Sequence, residues 1–363
     1  MRKILILSNS SSGLYEFRSE LIDDFLEDSK VYISLPDEEV HTKLLQEKGC
    51  EIIHTPFERR GMNPVKDIKL MSKYMRLLAQ IKPDVVCTYT IKPNIYGGLA
   101  CRIKGIPYMT NITGLGTALQ NDGLLSKILI CMYKAALKKA KCVFFQNEYN
   151  LEFMCKRGVV KGKTVLLPGS GVNLMHHIYK DYPSEDEGIR ILSVLRIMKD
   201  KGIEELIEAA DRFGSSQVKF VLAGKYEEES KAIYEPQIER LVSEGKMEYL
   251  GYVNEMRPVY ASSHIILHPS YHEGLSNVCL EAAACGRPVL TTNVPGCAET
   301  VVDGESGILF EAASKDAIVA ALDIMLTHKN KEDRSLMGKN GRKHVEDNFS
   351  RQIVIDKYRK ELC

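Results

Sequence analysis

Alternation constrains this chain more than any other feature. Short apolar runs of strand length are each followed by apolar residues at helical spacing, and the rhythm restarts once. Lys3–Leu7, Val31–Leu35, Ile52–His54, Asp84–Tyr89, Tyr108–Ile112 and Lys141–Phe145 read as strands. Between them, Leu14–Leu26, His41–Lys48, Val65–Gln80, the stretch near Ile95–Lys104 and Ser126–Ala140 carry the helical period. Gly49 and Pro83 are placed to stop the helices before them. This strand–helix–strand order predicts a parallel sheet covered on both faces.

The pattern begins again after Gly169-Ser170-Gly171. Arg190–Val194, Val218–Ala223, Met247–Leu250, Ile265–Pro269 and Pro288–Thr291 are the expected strands. Gly202–Arg212, Ile233–Glu244 and Asn277–Cys285 are the expected helices, with more helices near 314–328, 332–346 and 350–361. At 363 residues the chain is long enough for two domains. The boundary is expected near 170–188, giving a first domain over 1–175, a second over 176–348 and a terminal helix over 349–363. Ligands of open parallel sheets sit at the carboxyl ends of the strands. That directs attention to Ser8–Gly13, Thr88–Asn94, Asn111–Gly116, Leu195–Gly202, Gly224–Tyr226, Gly251–Val253 and Ser270–Asn277.

Charge is unevenly shared. Residues 1–175 hold 25 basic and 17 acidic side chains, a net of +8, whereas the remainder is at −7. Such asymmetry fits an anionic partner for the first half, or compositional drift between domains. The ten cysteines form no C-x-x-C pair and complete no zinc pattern with a histidine, which fits a reducing cytoplasm. The apolar run Ile4–Leu7 is too short for a signal-peptide core, and no window reaches bilayer-spanning length. No nucleic-acid partner is expected.

The densest chemistry follows the strand at Ile265–Pro269. It reads His272-Glu273-Gly274-Leu275-Ser276-Asn277-Val278-Cys279-Leu280-Glu281. Glu273 falls in the loop, and Ser276-Asn277 would open the helix with amides available to a phosphate. Glu281, eight residues after Glu273, would lie on the first turns of that helix, where a carboxylate can accept two adjacent ribose hydroxyls. Upstream, Arg196 and Lys201 lie in the loop after the second domain's first strand. Cations there can stabilise the charge on a departing nucleoside diphosphate. In Leu250-Gly251-Tyr252-Val253, glycine would let backbone approach a base closely.

These segments resemble retaining glycosyltransferase family 4, whose GT-B fold has two Rossmann-like domains facing across a deep cleft and a C-terminal helix crossing back to the first. The E-x7-E pair is shared, as are the flanks Pro-Ser-Tyr-His-Glu-Gly, Glu-Ala-Ala-Ala-Cys-Gly-Arg-Pro-Val and Gly-Cys-Ala-Glu-Thr-Val-Val-Asp-Gly. The resemblance implies that Glu273 contacts donor sugar hydroxyls. It implies that Gly274, Leu275, Ser276 and Asn277 face the sugar and diphosphate, and that Glu281 holds the ribose. Arg196 and Lys201 would take the diphosphate, so no metal and no further cofactor are expected. Tyr252 and Val253 would line the base, with uracil the common choice among the polysaccharide enzymes.

In the first half, Asn9-Ser10-Ser11-Ser12-Gly13-Leu14-Tyr15-Glu16-Phe17-Arg18 links the first strand to its helix, and its small residues would let amides, Gly13 included, approach the donor. It is no dinucleotide fingerprint. With Thr88–Gly97 and Asn111–Gly116 it resembles the branch of family 4 that contains capsule and O-antigen transferases and enzymes extending lipid-linked oligosaccharides. That implies a polyprenyl-diphosphate-linked acceptor, with Arg18, Lys92, Asn94 and Thr113 on the acceptor side. Many members carry a histidine after the fourth strand; this chain has Lys92. The basic, apolar segment Leu124–Lys141 could lie on the inner face of an anionic membrane, or simply cover the sheet. Three rival readings stay open: a nucleotide-sugar 2-epimerase of the same fold, a transferase to a soluble acceptor, and a non-enzymatic scaffold.

Overall fold

The computed structural model describes residues 1–36, 40–58, 61, 63–115 and 123–362. Gly116 of the sequence-predicted loop Asn111–Gly116 lies outside them. The chain divides into two compact units: Met1–Ser170 with Arg351–Cys363, and Gly171–Ser350.

The first unit holds strands β1 (Arg2–Leu7), β2 (Ser29–Leu35), β3 (Glu51–His54), β4 (Val85–Tyr89), β5 (Tyr108–Ile112), β6 (Cys142–Phe145) and β7 (Thr164–Leu166). They form one parallel sheet in the order β3-β2-β1-β4-β5-β6-β7. The second unit holds β8 (Ile189–Val194), β9 (Val218–Ala223), β10 (Met247–Gly251), β11 (Ile265–His268), β12 (Val289–Thr292) and β13 (Gly307–Phe310). Their order, β10-β9-β8-β11-β12-β13, is the same doubly wound plan. In each sheet the order reverses between the first and fourth strands. That is the topological switch point where such folds open a crevice.

Buried central strands explain the near-continuous apolar runs in the sequence. On β1, Ile4 and Ile6 join the cluster with Phe25, Ile33 and Phe144, while Leu5 and Leu7 join Leu70, Tyr74 and Tyr108 on the opposite face. In the second unit, Ile191, Phe220, Leu222 and Leu267 face one layer, and Leu192, Val221 and Ile266 the other. Fully burying one such side chain contributes about 1.5–3 kcal/mol.

Four elements go beyond the sequence reading: helix Glu148–Lys156, β7, helix Arg257–Ala261 and β13. β7 has three residues and β13 begins on glycine, which weakens the strand signal of both. The helix Ser11–Leu26 starts three residues before the expected Leu14. The connection from β1 is thus Ser8–Ser10 alone, and Gly13 and Arg18 stand on the helix.

The terminal helix Arg351–Leu362 belongs to the first unit. Tyr358, fully buried, stacks on Phe144 with ring centroids 4.2 Å apart. Its hydroxyl accepts from Asn111 Nδ2 at 2.7 Å and from the Tyr89 hydroxyl at 3.1 Å. Arg351 pairs with Glu20 and Arg359 with Asp24, each at 2.6 Å.

Candidate functional site

In the second unit the switch point is bounded by the loops after β8 and β11. They are pressed together at Gly202, where φ is +75° and an added Cβ would lie 2.2 Å from the Pro269 carbonyl oxygen. Only glycine fits, and the contact fixes where Lys201 emerges. Its ammonium sits 2.6 Å from Glu273 Oε1 and also donates to Ser270 Oγ at 3.2 Å and the His272 carbonyl at 3.4 Å. Buried His268, the last residue of β11, places Nε2 3.4 Å from the same Glu273 oxygen. Burial pushes the Glu273 carboxyl upward, but His268 and Lys201 outweigh it and hold it at about 2. Behind the loop, Gly296 packs its backbone on Glu273; an added Cβ would lie 2.5 Å from the Glu273 carbonyl oxygen.

Ser276 caps the helix Asn277–Ala284, its Oγ accepting from the Cys279 amide at 3.3 Å. Its own amide donates to the Gly296 carbonyl at 2.7 Å. The expectation that both Ser276 and Asn277 offer free amides is therefore corrected at Ser276, because the Gly296 loop takes that donor. Glu281, on the second turn, accepts from the buried Tyr260 hydroxyl at 3.1 Å. Gly274 and Asn277 are half-buried, and Leu275 is buried in the core beside Tyr260 and Cys279.

Arg196 is exposed and pairs with Glu227, Nη1 to Oε1, at 2.8 Å. Tyr252 is exposed, with the Lys225 ammonium 4.1 Å from its ring centroid, and Val253 packs half-buried on the core. Sequence reasoning missed Glu227, Tyr260 and His268; Lys225 lies in the expected segment Gly224–Tyr226 and Gly296 opens a quoted flank, but neither was given a role. His268 carried a readable signal, a polar residue at the carboxyl end of an apolar strand. Tyr260 carried none.

In the first unit the predicted residues fall into two groups. Ser10 caps the helix, and its Oγ accepts from the Gly13 amide at 3.1 Å, so that amide serves the cap. Arg18 is buried. Its Nη1 donates to the Phe17 carbonyl at 2.8 Å, and its guanidinium lies 5.6 Å from the Tyr89 ring centroid. With the Gln146 amide turned to satisfy both its groups, Arg18 Nη2 donates to it at 2.8 Å, and it donates to the Thr113 carbonyl at 3.2 Å. Arg18 Nε keeps no hydrogen-bond partner among the described residues. Asn94, buried, donates to the Asn111 carbonyl at 2.9 Å. These residues form one network with Tyr358.

Lys92 stands apart. It lies two residues after Thr90, a β-branched residue at φ +70°, whose buried Oγ1 has no hydrogen-bond partner among the described residues. Such backbone costs about 1–3 kcal/mol and clusters at functional sites. A π-helical turn, Pro93–Gly97, follows directly. Lys92 Nζ pairs with the buried Asp67 Oδ1 at 3.0 Å, and Tyr96 donates to the other oxygen at 3.0 Å. Together with Pro56, Phe57 and three lysines of the helix Pro64–Ile81 — Lys66, Lys69 and Lys73 — Lys92 lines a pocket of about 390 Å³ at the carboxyl ends of β2–β4. Among the described residues no group of three His, Cys, Asp or Glu side chains could hold a metal ion. No described helix is long and apolar enough to cross a membrane.

Two doubly wound sheets, one with a Lys–Glu pair at its switch point, frame a candidate ligand site, and comparison with known proteins places the chain in a family. Residues 3–147 match the family "Glycosyl transferase 4-like", and residues 177–344 match "Glycosyl transferases group 1". The chain belongs to this glycosyltransferase family. It is 26% identical to the N,N'-diacetylbacillosaminyl-diphospho-undecaprenol alpha-1,3-N-acetylgalactosaminyltransferase of Campylobacter jejuni, over 99% of this chain and 97% of that one. It is 28% identical to the capsular polysaccharide biosynthesis glycosyltransferase CapM of Staphylococcus aureus, over 86% and 85%. The crystal structure of HepE from Anabaena, in complex with UDP and glucose, superposes with a TM-score of 0.83 at 17% identity, covering 100% of this chain and 99% of that one. The shared fold is GT-B.

Proposed function

We propose that this chain is a retaining, metal-independent transferase that moves a hexose or N-acetylhexosamine from a UDP-sugar to a polyprenyl-diphosphate-linked saccharide. The observation that carries the reading is the Lys201–Glu273 pair, 2.6 Å apart at the second unit's switch point. It provides a fixed cation for a diphosphate and an ionised acceptor for sugar hydroxyls, eight residues before a carboxylate suited to ribose. HepE binds UDP on the same fold, and the Campylobacter relative acts on an undecaprenyl diphosphate.

The chemistry follows from charge. As the bond from the sugar's anomeric carbon to the diphosphate oxygen breaks, negative charge grows on the leaving group. Lys201 and Arg196 stabilise it without a divalent ion. The acceptor hydroxyl attacks from the face the diphosphate leaves, and its proton passes to the leaving phosphate. Configuration is thereby retained with no covalent enzyme intermediate. Glu273 aligns the donor sugar.

Acceptor binding falls to the first unit. Its pocket gathers four lysines against Glu58 and Asp67, an excess of cations suited to a diphosphate. Leu124, Leu125 and Ile128 are exposed on the helix Leu124–Leu137 beside Lys127, which suits an enzyme meeting its lipid substrate at the cytoplasmic membrane surface.

The test is radiolabel transfer from a panel of UDP-sugars to a polyprenyl-diphosphate-sugar in EDTA. Labelled lipid is the expected product. Conversion of the nucleotide sugar without acceptor would replace this reading with an epimerase, and transfer that needs added metal would remove its metal-independent part.

A further inference from the structure

Two histidines flank β11, and they differ. His264 is a satisfied core residue: Nδ1 accepts from the Arg190 amide at 2.9 Å and Nε2 lies 2.8 Å from the Ser184 carbonyl. His268, four residues on, is equally buried, yet among the described residues neither ring nitrogen has a partner in hydrogen-bonding geometry. An imidazole carries an N–H in either protonation state, and leaving that donor without an acceptor inside a protein is costly. The ring is held in place. His268 pairs with Thr291 across β11–β12, and its carbonyl accepts from Thr291 Oγ1 at 2.9 Å. Its Nε2 lies 3.4 Å from Glu273 Oε1, outside hydrogen-bonding geometry.

The reason lies with Lys201. An ammonium has three N–H donors. Here all three point at protein, at Ser270 Oγ, the His272 carbonyl and Glu273 Oε1. A phosphate oxygen can gain Lys201 only by displacing one of them. Displacing Glu273 would take the cation away from a largely buried carboxylate, which is expensive unless another donor replaces it.

We propose that His268 is that replacement: as Lys201 turns to the donor diphosphate, His268 Nε2–H closes on Glu273 Oε1 and keeps the carboxylate aimed at the donor sugar. His268 is thus a positioning residue that acts through Glu273, and it links diphosphate binding to sugar binding. The inference rests on the donor reading of Glu273 given above.

The test compares His268→Gln, whose amide nitrogen reaches the Nε2 position, with His268→Asn, which reaches only Nδ1. Calorimetry would measure UDP, UDP-glucose, UDP-galactose, UDP-N-acetylglucosamine and UDP-N-acetylgalactosamine against wild type and both variants, alongside kcat for the sugar transferred. UDP affinity is expected to stay within about twofold of wild type in the Gln variant and to fall in the Asn variant, where no donor replaces Lys201 at Glu273. The added affinity for the UDP-sugar, and kcat, should survive in the Gln variant and fall about tenfold in the Asn variant. Equal behaviour of the two variants, whether both keep the sugar's contribution or both lose it, overturns the proposal. Failure of the underlying reading would show separately, as Glu273→Gln that still prefers the UDP-sugar over UDP as wild type does.

Discussion

The two units share one topology and differ in how their strand ends gather charge. In the second unit the charged groups at the strand ends are matched in place, Lys201 with Glu273 and Arg196 with Glu227, Tyr260 bonds Glu281, and His268 is the buried exception. In the first unit, Arg18 Nε, Thr90 Oγ1, Asn94 Oδ1 and Asn111 Oδ1 are buried without hydrogen-bond partners among the described residues, and the lysines of one helix crowd a pocket. The same scaffold can therefore carry a site that is internally neutralised and one that keeps unmet polar demand. The first pattern suits a small ligand of fixed charge pattern. The second gathers four lysines around an open pocket, which suits an anionic ligand.

The comparison breaks most readily at Lys201. Lys201→Ala should lower kcat about a hundred- to thousandfold, and should also lower the melting temperature, because it leaves the largely buried Glu273 carboxylate without its ammonium. Arg196→Ala should lower it less, because that side chain is more exposed, and unchanged turnover would remove Arg196 from the mechanism. Glu281→Ala should weaken UDP binding about tenfold or more, since hydrogen bonds to a charged group are worth about 1.5–3 kcal/mol. Calorimetry reads this directly.

Changes in the first unit should spare the donor. Lys69→Ala with Lys73→Ala should raise the acceptor KM about five- to tenfold and flatten its salt dependence, leaving UDP affinity unchanged. A fall in UDP affinity would dissolve the division of labour between the units.

Acid sharpens the contrast further. The Glu273 pKa is lowered in the folded protein, from an ordinary 4.5 to about 2. Its contribution is therefore fully present above pH 4.5 and lost as pH falls toward 2. The stability gap between wild type and Glu273→Gln should stay level from pH 8 to 5 and shrink below, by up to about 3 kcal/mol. A gap that closes near neutral pH would mean that another group governs it. The smallest effect is expected at Thr90→Gly, which relieves the left-handed backbone and should stabilise the first unit by about 1 kcal/mol.

Legibility in the sequence followed the same divide. Glu273 and Glu281 could be read because their chemistry is contiguous: one strand, one loop and one helix carry it. The loop after β8 followed from the strand-end rule alone. Gly13 was read as a ligand amide, although Ser10 three residues earlier is a cap signal that claims it. Lys92 could be found but not its partner Asp67, which reaches it from a different helix. Arg18, Asn94 and Thr113 belong to a network completed by Tyr358, 247 residues beyond Asn111. Local periodicity carries no trace of such a contact.

That network sets an order of assembly. The first unit's core needs Val354 and Tyr358, so the second unit is in effect an insertion within the first. On a ribosome, the opening 170 residues emerge early yet cannot finish folding until the last helix is released. The second unit, continuous in sequence, can fold while they wait. A nascent chain arrested before Arg351 would present Phe144, Tyr89 and Asn111 uncovered, and chaperones would meet that half-built face in every round of synthesis.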